Sequence, residues 1–124
     1  MKQIDYINII NNLKKSKFRS SFKLKEKDIK YIKEKGMLTI KKHAINFINE
    51  KLSPANPLND GKQTPTKNNP VFIAMHACAC CCRTCLYKWH KIPKNKELTN
   101  DEKNYIYCLL LYWINEEIKQ YQKS

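Results

Sequence analysis

The chain has 124 residues, a length that predicts one domain over residues 1–124. Its 42% of hydrophobic residues suffices for a modest core, and no apolar run of about 18 residues, the length needed to cross a membrane, occurs in it. Lys and Arg number 24 against 11 Asp and Glu, and the resulting net charge of +13 favours nucleic acid, a nucleotide or an acidic protein surface as partner.

The first half of the chain predicts three helices. Apolar residues recur at helical spacing over residues 4–15, and a charged helix is predicted over 26–34, ended by Gly36. Residues 20–22, Ser-Ser-Phe, interrupt the pattern between the two. A third helix is predicted over 38–51 from its apolar set.

A long loop is predicted over residues 53–69. It holds three of the five prolines and an Asn-Asp-Gly turn signal. So long a loop in so small a domain is often functional, and a carboxylate, an ammonium group, an amide and a hydroxyl could together recognise a base, a sugar and a phosphate. The expected ligand-binding residues of the loop are Asp60, Lys62, Gln63 and Thr64. The alternative is an ordinary turn whose side chains bond to their own backbone.

The second half predicts two further helices. Pro70 suits a first helical turn, and a cysteine-containing helix is predicted over 71–87. Thr99 and Glu102 form a capping box before a last helix over 100–121. Strand-like alternation is absent from the sequence. The prediction is an all-α bundle of about five helices with one long ordered loop.

Five of the six cysteines lie between positions 78 and 85, flanked by two histidines. The N-terminus does not resemble a signal peptide, so we expect a cytoplasmic protein with reduced thiols. Zinc takes four Cys or His ligands in a tetrahedron, and a Cys-x-x-Cys pair can hold it from one turn. The candidate zinc ligands are His76, Cys82, Cys85 and His90, with Cys81 as an alternative. One continuous helix could not surround an ion, so a bend near residues 83–84 is required.

Two other interpretations of the cysteines stay open. Cysteine behaves as a small hydrophobe, and Cys78, Cys82 and Cys85 would share one face of a continuous helix, which favours packing in the core. A nucleophilic role for Cys81, Cys82 or Cys85 would instead need a base, for which His76 or His90 is the candidate.

Positive charge is concentrated in two segments. Residues 14–35 contain ten basic and three acidic residues, and residues 83–96 contain five basic residues and no acidic one. Basic groups beside aromatic rings suit phosphate neutralisation with base stacking. In the second segment we expect Arg83, Lys88 and Trp89 to contact the ligand. The alternative is a solvated lysine-rich surface.

The stretches KFRSSFKLKEKDIKYIKEKG, NDGKQTP and NPVFIAMHACACCCRTCLYKWHKIP, with the closing helix, resemble a small bacterial and phage family, domain-of-unknown-function family 4186. The resemblance covers about residues 17–113. The positions that fit the family pattern are His76, Cys81, Cys82, Arg83, Cys85, Lys88, Trp89, His90 and Pro93. Met75, Cys78 and Cys80 depart from it, so Cys78 and Cys80 are poor candidates for ligands. The resemblance implies no activity.

Three functions follow from these features. The leading one is a binding protein whose polar pocket, built by loop residues 59–66 and the segment 76–90, holds nucleic acid or a nucleotide. The second is a phage or mobile-element inhibitor that binds an acidic or nucleic-acid-handling defence protein of the host. The third is a Cys/His-dependent enzyme.

Overall fold

The computed structural model describes residues 5–123, and every regular element in that part of the chain is helical. The helices are α1 (Tyr6–Lys14), α2 (Lys17–Ser20), α3 (Glu26–Lys35), α4 (Met37–Phe47), α5 (Pro70–Ala77), α6 (Arg83–His90) and α7 (Asn100–Lys123). A π-helical turn, Ile48–Leu52, continues α4. The all-α prediction is therefore confirmed. The first predicted helix was to begin at Ile4, which lies outside the described residues.

Helix α5 is the centre of the fold. Seven of its eight side chains are buried, and it contacts α2, α3, α4 and α7. A helix covered on all sides needs apolar residues all round, which explains why the sequence there is apolar except for His76 and has no amphipathic period. The long helix α7 packs against α5, and its buried residues include Ile106, Leu109 and Trp113.

The predicted helix over 71–87 is wrong in one respect, because it is two helices. It stops after Ala77, and a short irregular segment over 78–82 leads to α6. Ala79 there has a positive φ of 57°, a conformation that ends a right-handed helix. The break therefore lies before Arg83 rather than at residues 83–84. This division, together with the four-residue helix α2, gives seven α-helices in the described chain instead of about five.

The loop predicted over 53–69 is present with those bounds. It starts directly after the π-helical turn and ends at Asn69, whose Oδ1 accepts the Val71 N–H at 2.9 Å and so caps α5. Between these ends the loop runs over the start of α6, where the predicted site residues lie. No helix among residues 5–123 is both long and apolar enough to cross a membrane.

Candidate functional site: a thiol cluster beneath the long loop

Three cysteine side chains meet at the start of α6, and we call Cys81, Cys82 and Cys85 the thiol cluster. Their Sγ atoms all lie within 4.8 Å of one another, and those of Cys81 and Cys85 are 3.7 Å apart. Cys82 is the N-cap of α6, and its Sγ accepts the Cys85 N–H at 3.3 Å. The cluster therefore depends on the break between α5 and α6, which turns the Cys81 thiol back towards the first turn of α6.

Arg19, from the short helix α2, lies against the thiol cluster. Its Nη2 is 3.1 Å from the Cys85 Sγ, and its Nη1 is 3.5 Å from the Cys81 Sγ. The same Nη1 donates to the His76 carbonyl oxygen at 2.8 Å. A buried guanidinium beside sulfur favours the thiolate form, because the cation compensates the negative charge.

The three thiols do not share this effect equally. The pKa of Cys85 is lowered, because the thiols of Cys81 and Cys82 hydrogen bond to its sulfur and Arg19 adds a nearby positive charge, which together outweigh burial. The pKa values of Cys81 and Cys82 are raised by the same coupling. Of the two sulfurs that Arg19 contacts, that of Cys85 is the nearer, so the guanidinium favours a thiolate there most strongly.

The two histidines predicted as zinc ligands lie outside the thiol cluster. His76 Nε2 is 2.9 Å from the Thr64 carbonyl oxygen, and His90 Nε2 is 2.7 Å from the Cys78 carbonyl oxygen. A carbonyl only accepts, so both Nε2 atoms carry the proton. His90 Nδ1 accepts from the Tyr105 hydroxyl at 2.8 Å, and burial lowers the pKa of His90. Both rings therefore join segments of the fold, and only the cysteines of the predicted ligand set come together.

The loop and the cysteine segment contact each other as expected, and Asp60 is the main link. Its Oδ1 accepts the Arg83 N–H at 2.8 Å, and its Oδ2 accepts the Thr84 N–H at 3.0 Å and the Thr84 hydroxyl at 2.8 Å. A carboxylate there satisfies the free N–H groups of a helix N-terminus and its positive dipole end. Asp60 thus occupies the position at which an anionic ligand would otherwise bind α6.

Gln63 and Thr64 also hold the loop in place. Gln63 Nε2 donates to Asp60 Oδ1 at 2.9 Å, and its backbone carbonyl accepts from Lys51 Nζ at 2.9 Å. The buried Thr64 donates its hydroxyl to the Cys81 carbonyl oxygen at 2.8 Å. Two of these contacts join the loop to the π-helical turn and to the segment before α6, so Gln63 and Thr64 bond to other parts of the fold as well as within the loop.

Arg83 is buried to 99% of its surface, and its guanidinium binds four backbone carbonyls. Nη1 donates to the oxygens of Leu52 and Pro54 at 3.1 and 2.8 Å, and Nη2 to those of Pro93 and Lys96 at 2.6 and 2.9 Å. The side chain joins three parts of the chain: the start of α6, the end of the π-helical turn with the residues after it, and the segment between α6 and α7. Its role is structural, and its charge does not reach the surface.

The remaining predicted contact residues are closer to the solvent. Lys62 and Lys88 are exposed, and Trp89 is half-buried against the core. Tyr87, an aromatic residue of the same basic segment, exposes 59% of its surface beside Lys88. The part of the predicted site that a partner can reach is therefore a basic surface with an aromatic ring.

The thiol cluster is close enough to hold a metal ion. Two sulfurs bound to one tetrahedral zinc at about 2.3 Å lie about 3.8 Å apart. The 3.7 Å between the Cys81 and Cys85 sulfurs matches that value. The structure also bears on a nucleophilic role for Cys85. Its sulfur contacts Arg19 and the neighbouring thiols. The two histidines considered as the base, His76 and His90, each have their Nε2 bonded to a backbone carbonyl oxygen.

Arg19 is the residue of the site that sequence reasoning missed. The chain has only two arginines among 24 basic residues, Arg19 and Arg83, and both are buried. A planar guanidinium is suited to several hydrogen bonds in a buried site, whereas lysine remains hydrated at the surface. The rarity of arginine in a lysine-rich sequence was the signal that could have identified it.

No solved structure matches the chain. A family model matches residues 7–115, a range that includes the thiol cluster, both buried arginines and the whole long loop. By that match, the chain belongs to the family described as Domain of unknown function (DUF4186).

Proposed function

We propose that this protein is a small basic domain that binds single-stranded nucleic acid or a nucleotide. The supporting observation is that the described residues, 5–123, contain one ion pair, between Lys119 and Glu116, although the chain carries 24 basic residues. Positive charge that the fold does not neutralise is available to a polyanion. Phosphate groups release counterions when they meet such a surface, which supplies the affinity.

One part of the surface is particularly suited to this contact, and we name it the α6 basic face: Lys62, Tyr87, Lys88 and Lys94. Thr84 and Lys88 lie one turn apart on α6, and Lys94 Nζ donates to the Thr84 hydroxyl at 3.0 Å. Asp60 ties the loop that carries Lys62 to the same turn of helix. Lysines beside an exposed tyrosine suit backbone binding with base stacking, and lysine predominance argues against base-specific reading of a duplex.

Fluorescence anisotropy with a labelled single-stranded RNA of about twelve nucleotides tests this proposal. We expect binding that weakens steeply with NaCl. The variant Lys62→Gln/Lys88→Gln should bind more weakly and lower the slope of log K against log salt by about 1.4, because each lost phosphate contact removes about 0.7 from it. Lys33→Gln/Lys42→Gln, two exposed lysines on α3 and α4, is the matched control.

The alternative partner, an acidic protein of a host defence system, is distinguished by the same measurement. If the wild-type protein shows no binding to RNA, single-stranded DNA or nucleotides at low salt, the proposal is contradicted. Stoichiometric recovery of one acidic protein without nucleic acid, in the same preparation, would favour the alternative. Arg83 is not a suitable variant for either test, because its guanidinium holds the fold together.

We also propose that the thiol cluster binds one zinc ion, in a reducing compartment such as the cytoplasm, where thiol ligands persist. Three thiolates and Zn²⁺ carry one net negative charge, and Arg19 would neutralise it. The ion would join the end of the α5–α6 connection to the first turn of α6. The domain has a modest core, so such a link would contribute to its stability.

Elemental analysis of protein purified without chelator tests the zinc proposal. We expect about one zinc per chain in the wild type and a loss of most of it in Cys82→Ser. Cys108→Ser is the matched control, because Cys108 lies on α7 and is not part of the thiol cluster. Iron in place of zinc, no metal at all, or full zinc content in Cys82→Ser would contradict the proposal.

A further inference from the structure

We propose that a cleft on both sides of Phe22 binds a nucleotide unit, with its base in an apolar pocket and its phosphate between lysines. The inference rests on the proposed function and names the site and ligand chemistry for it. Two cavities meet there, and Phe22 and Lys23 line both of them. The site is separate from the α6 basic face, because none of that face's four residues lines either cavity.

The first cavity is suited to a base. Its volume is about 330 Å³, within the range of small-molecule pockets, and its apolar walls include Leu13, Phe22 and Trp113. Gln120 also lines it, as does Glu117, whose Oε1 accepts the Leu24 N–H at 2.9 Å. Apolar walls with a few polar groups are the usual composition of a ligand pocket, in which the polar groups select the ligand's orientation. Amide and carboxylate groups can bond the polar edge of a base.

The second cavity is suited to phosphate. Its volume is about 320 Å³, and its lining includes Lys23, Lys25, Lys27 and Lys67. All four lysines are exposed. The lining also includes one carboxylate, the buried Asp28, whose Oδ2 accepts the Lys25 N–H at 2.9 Å. Positive charge is therefore in excess, and point-like ammonium groups suit the several orientations of a phosphate.

Phe22 lines both cavities and packs against two other aromatic rings. Its ring stacks on His76 with centroids 5.2 Å apart and an interplanar angle of 15°, and Phe18 meets it edge-on at 5.2 Å. The ring is half-buried, so part of it stays available to a ligand. An aromatic group between an apolar pocket and a cationic cleft fits a base joined through its sugar to a phosphate. An acidic peptide would use the lysines but not the pocket.

Two probes test the site: AMP and a single-stranded RNA of about twelve nucleotides. In NMR titrations, we expect AMP to shift the indole signal of Trp113. In the anisotropy assay, Lys23→Gln/Lys25→Gln/Lys67→Gln should lower RNA affinity about tenfold and the salt slope by about 0.7, because the one phosphate held between these lysines is no longer neutralised. Lys33→Gln/Lys41→Gln/Lys42→Gln removes the same charge from exposed lysines that line neither cavity, and should change the affinity far less.

Four outcomes would overturn the site. If the wild type binds RNA but both triple variants lose the same amount of RNA affinity, the proposed site is wrong although the proposed function stands. If RNA binds but AMP leaves Trp113 unmoved at millimolar concentration, the base pocket is wrong. If polyglutamate binds as tightly and with the same dependence on the cleft lysines, the ligand is an acidic peptide. If neither RNA nor AMP binds, both the site and the proposed function fail.

Discussion

Arg83 shows why a charged residue in a motif need not contact a ligand. Residue 52 ends the π-helical turn, residue 54 follows it, and residues 93 and 96 lie between α6 and α7, so their carbonyls have no helical partners. Buried carbonyls without partners are costly, and a guanidinium with five donors can satisfy several at once. Arg83 therefore holds three segments of the chain together through one buried guanidinium.

We predict that Arg83→Lys lowers the free energy of unfolding by about 3 kcal/mol or more, because a single ammonium cannot replace the planar fork at four carbonyls. Urea unfolding followed by circular dichroism measures the change. Lys88→Arg, an exposed position on the same helix, is the control and should stay within about 0.5 kcal/mol of the wild type. An unchanged midpoint for Arg83→Lys would contradict this role.

The Asp60 carboxylate makes the free energy of unfolding depend on pH in the acidic range. Partial burial alone would raise its pKa, but hydrogen bonds from Gln63, Arg83 and Thr84 together lower it below the ordinary 3.8. A carboxyl with a lowered folded-state pKa stabilises the fold above its unfolded pKa, and that contribution is lost as the pH falls through the folded value.

We therefore predict that Asp60→Asn loses less stability than the wild type between about pH 5 and about pH 3, because the amide does not titrate. Thermal melts across this range give the slopes. Glu97→Gln, which removes an exposed carboxylate outside α6, controls for net charge and should leave the slope close to that of the wild type. Identical acid slopes for Asp60→Asn and the wild type would count against a role for the carboxylate as the α6 cap.

At the level of helices, the side chains that satisfy the helix ends decide more about this fold than those of the helix interiors. The N–H groups of residues 83 and 84 are satisfied by Asp60, and that of Cys85 by the Cys82 sulfur. At its other end, α6 stops at Lys91, which is left-handed, and the Ile92 N–H reaches back to the Leu86 carbonyl oxygen at 3.2 Å. The Lys91 N–H also donates to the Tyr87 carbonyl oxygen at 3.1 Å, which is the bond of an αL cap.

The start of α7 provides a test of capping. Thr99 Oγ1 accepts the Glu102 N–H at 3.1 Å, and Glu102 Oε1 accepts the Thr99 N–H at 2.9 Å, so the predicted capping box is confirmed. We predict that Thr99→Ala costs about 1 kcal/mol in the free energy of unfolding, measured by urea titration. Asn115→Ala, exposed in the middle of α7, should be neutral or stabilising because alanine favours helix. Equal stability of Thr99→Ala and the wild type would contradict the cap.

For the whole molecule, the charge imbalance is a cost to the folded state. A net charge of +13 with one ion pair in the described chain means that repulsion between lysines is scarcely offset. The same repulsion favours association with a polyanion, which is the basis of the proposed function.

We predict that the melting temperature rises with NaCl between about 10 and about 150 mM, because the screening length falls from about 30 Å to about 8 Å. Scanning calorimetry in a buffer of low ionic strength measures it. The variant Lys33→Glu/Lys42→Glu, with less net charge, should gain less from salt. A flat or falling melting temperature in the wild type would show that repulsion is not significant.

The sequence by itself determined the helical class, the long loop, the α7 capping box and the excess of positive charge. Each of these depends on residues close together in the chain or on composition alone, so periodicity and residue counts suffice. It also placed Cys82 and Cys85 in one candidate site, because a two-residue spacing at a helix start keeps their sulfurs close.

Only the tertiary structure decided which polar residues are available to a partner. Arg19 reaches sulfurs more than 60 positions away, Asp60 caps a helix 23 positions on, and Arg83 gathers carbonyls from both sides of it. Such partners depend on which N–H and C=O groups remain unpaired once helices end and pack. A motif fixes the type of a side chain, but the packing of distant segments fixes whether it faces a ligand or the backbone.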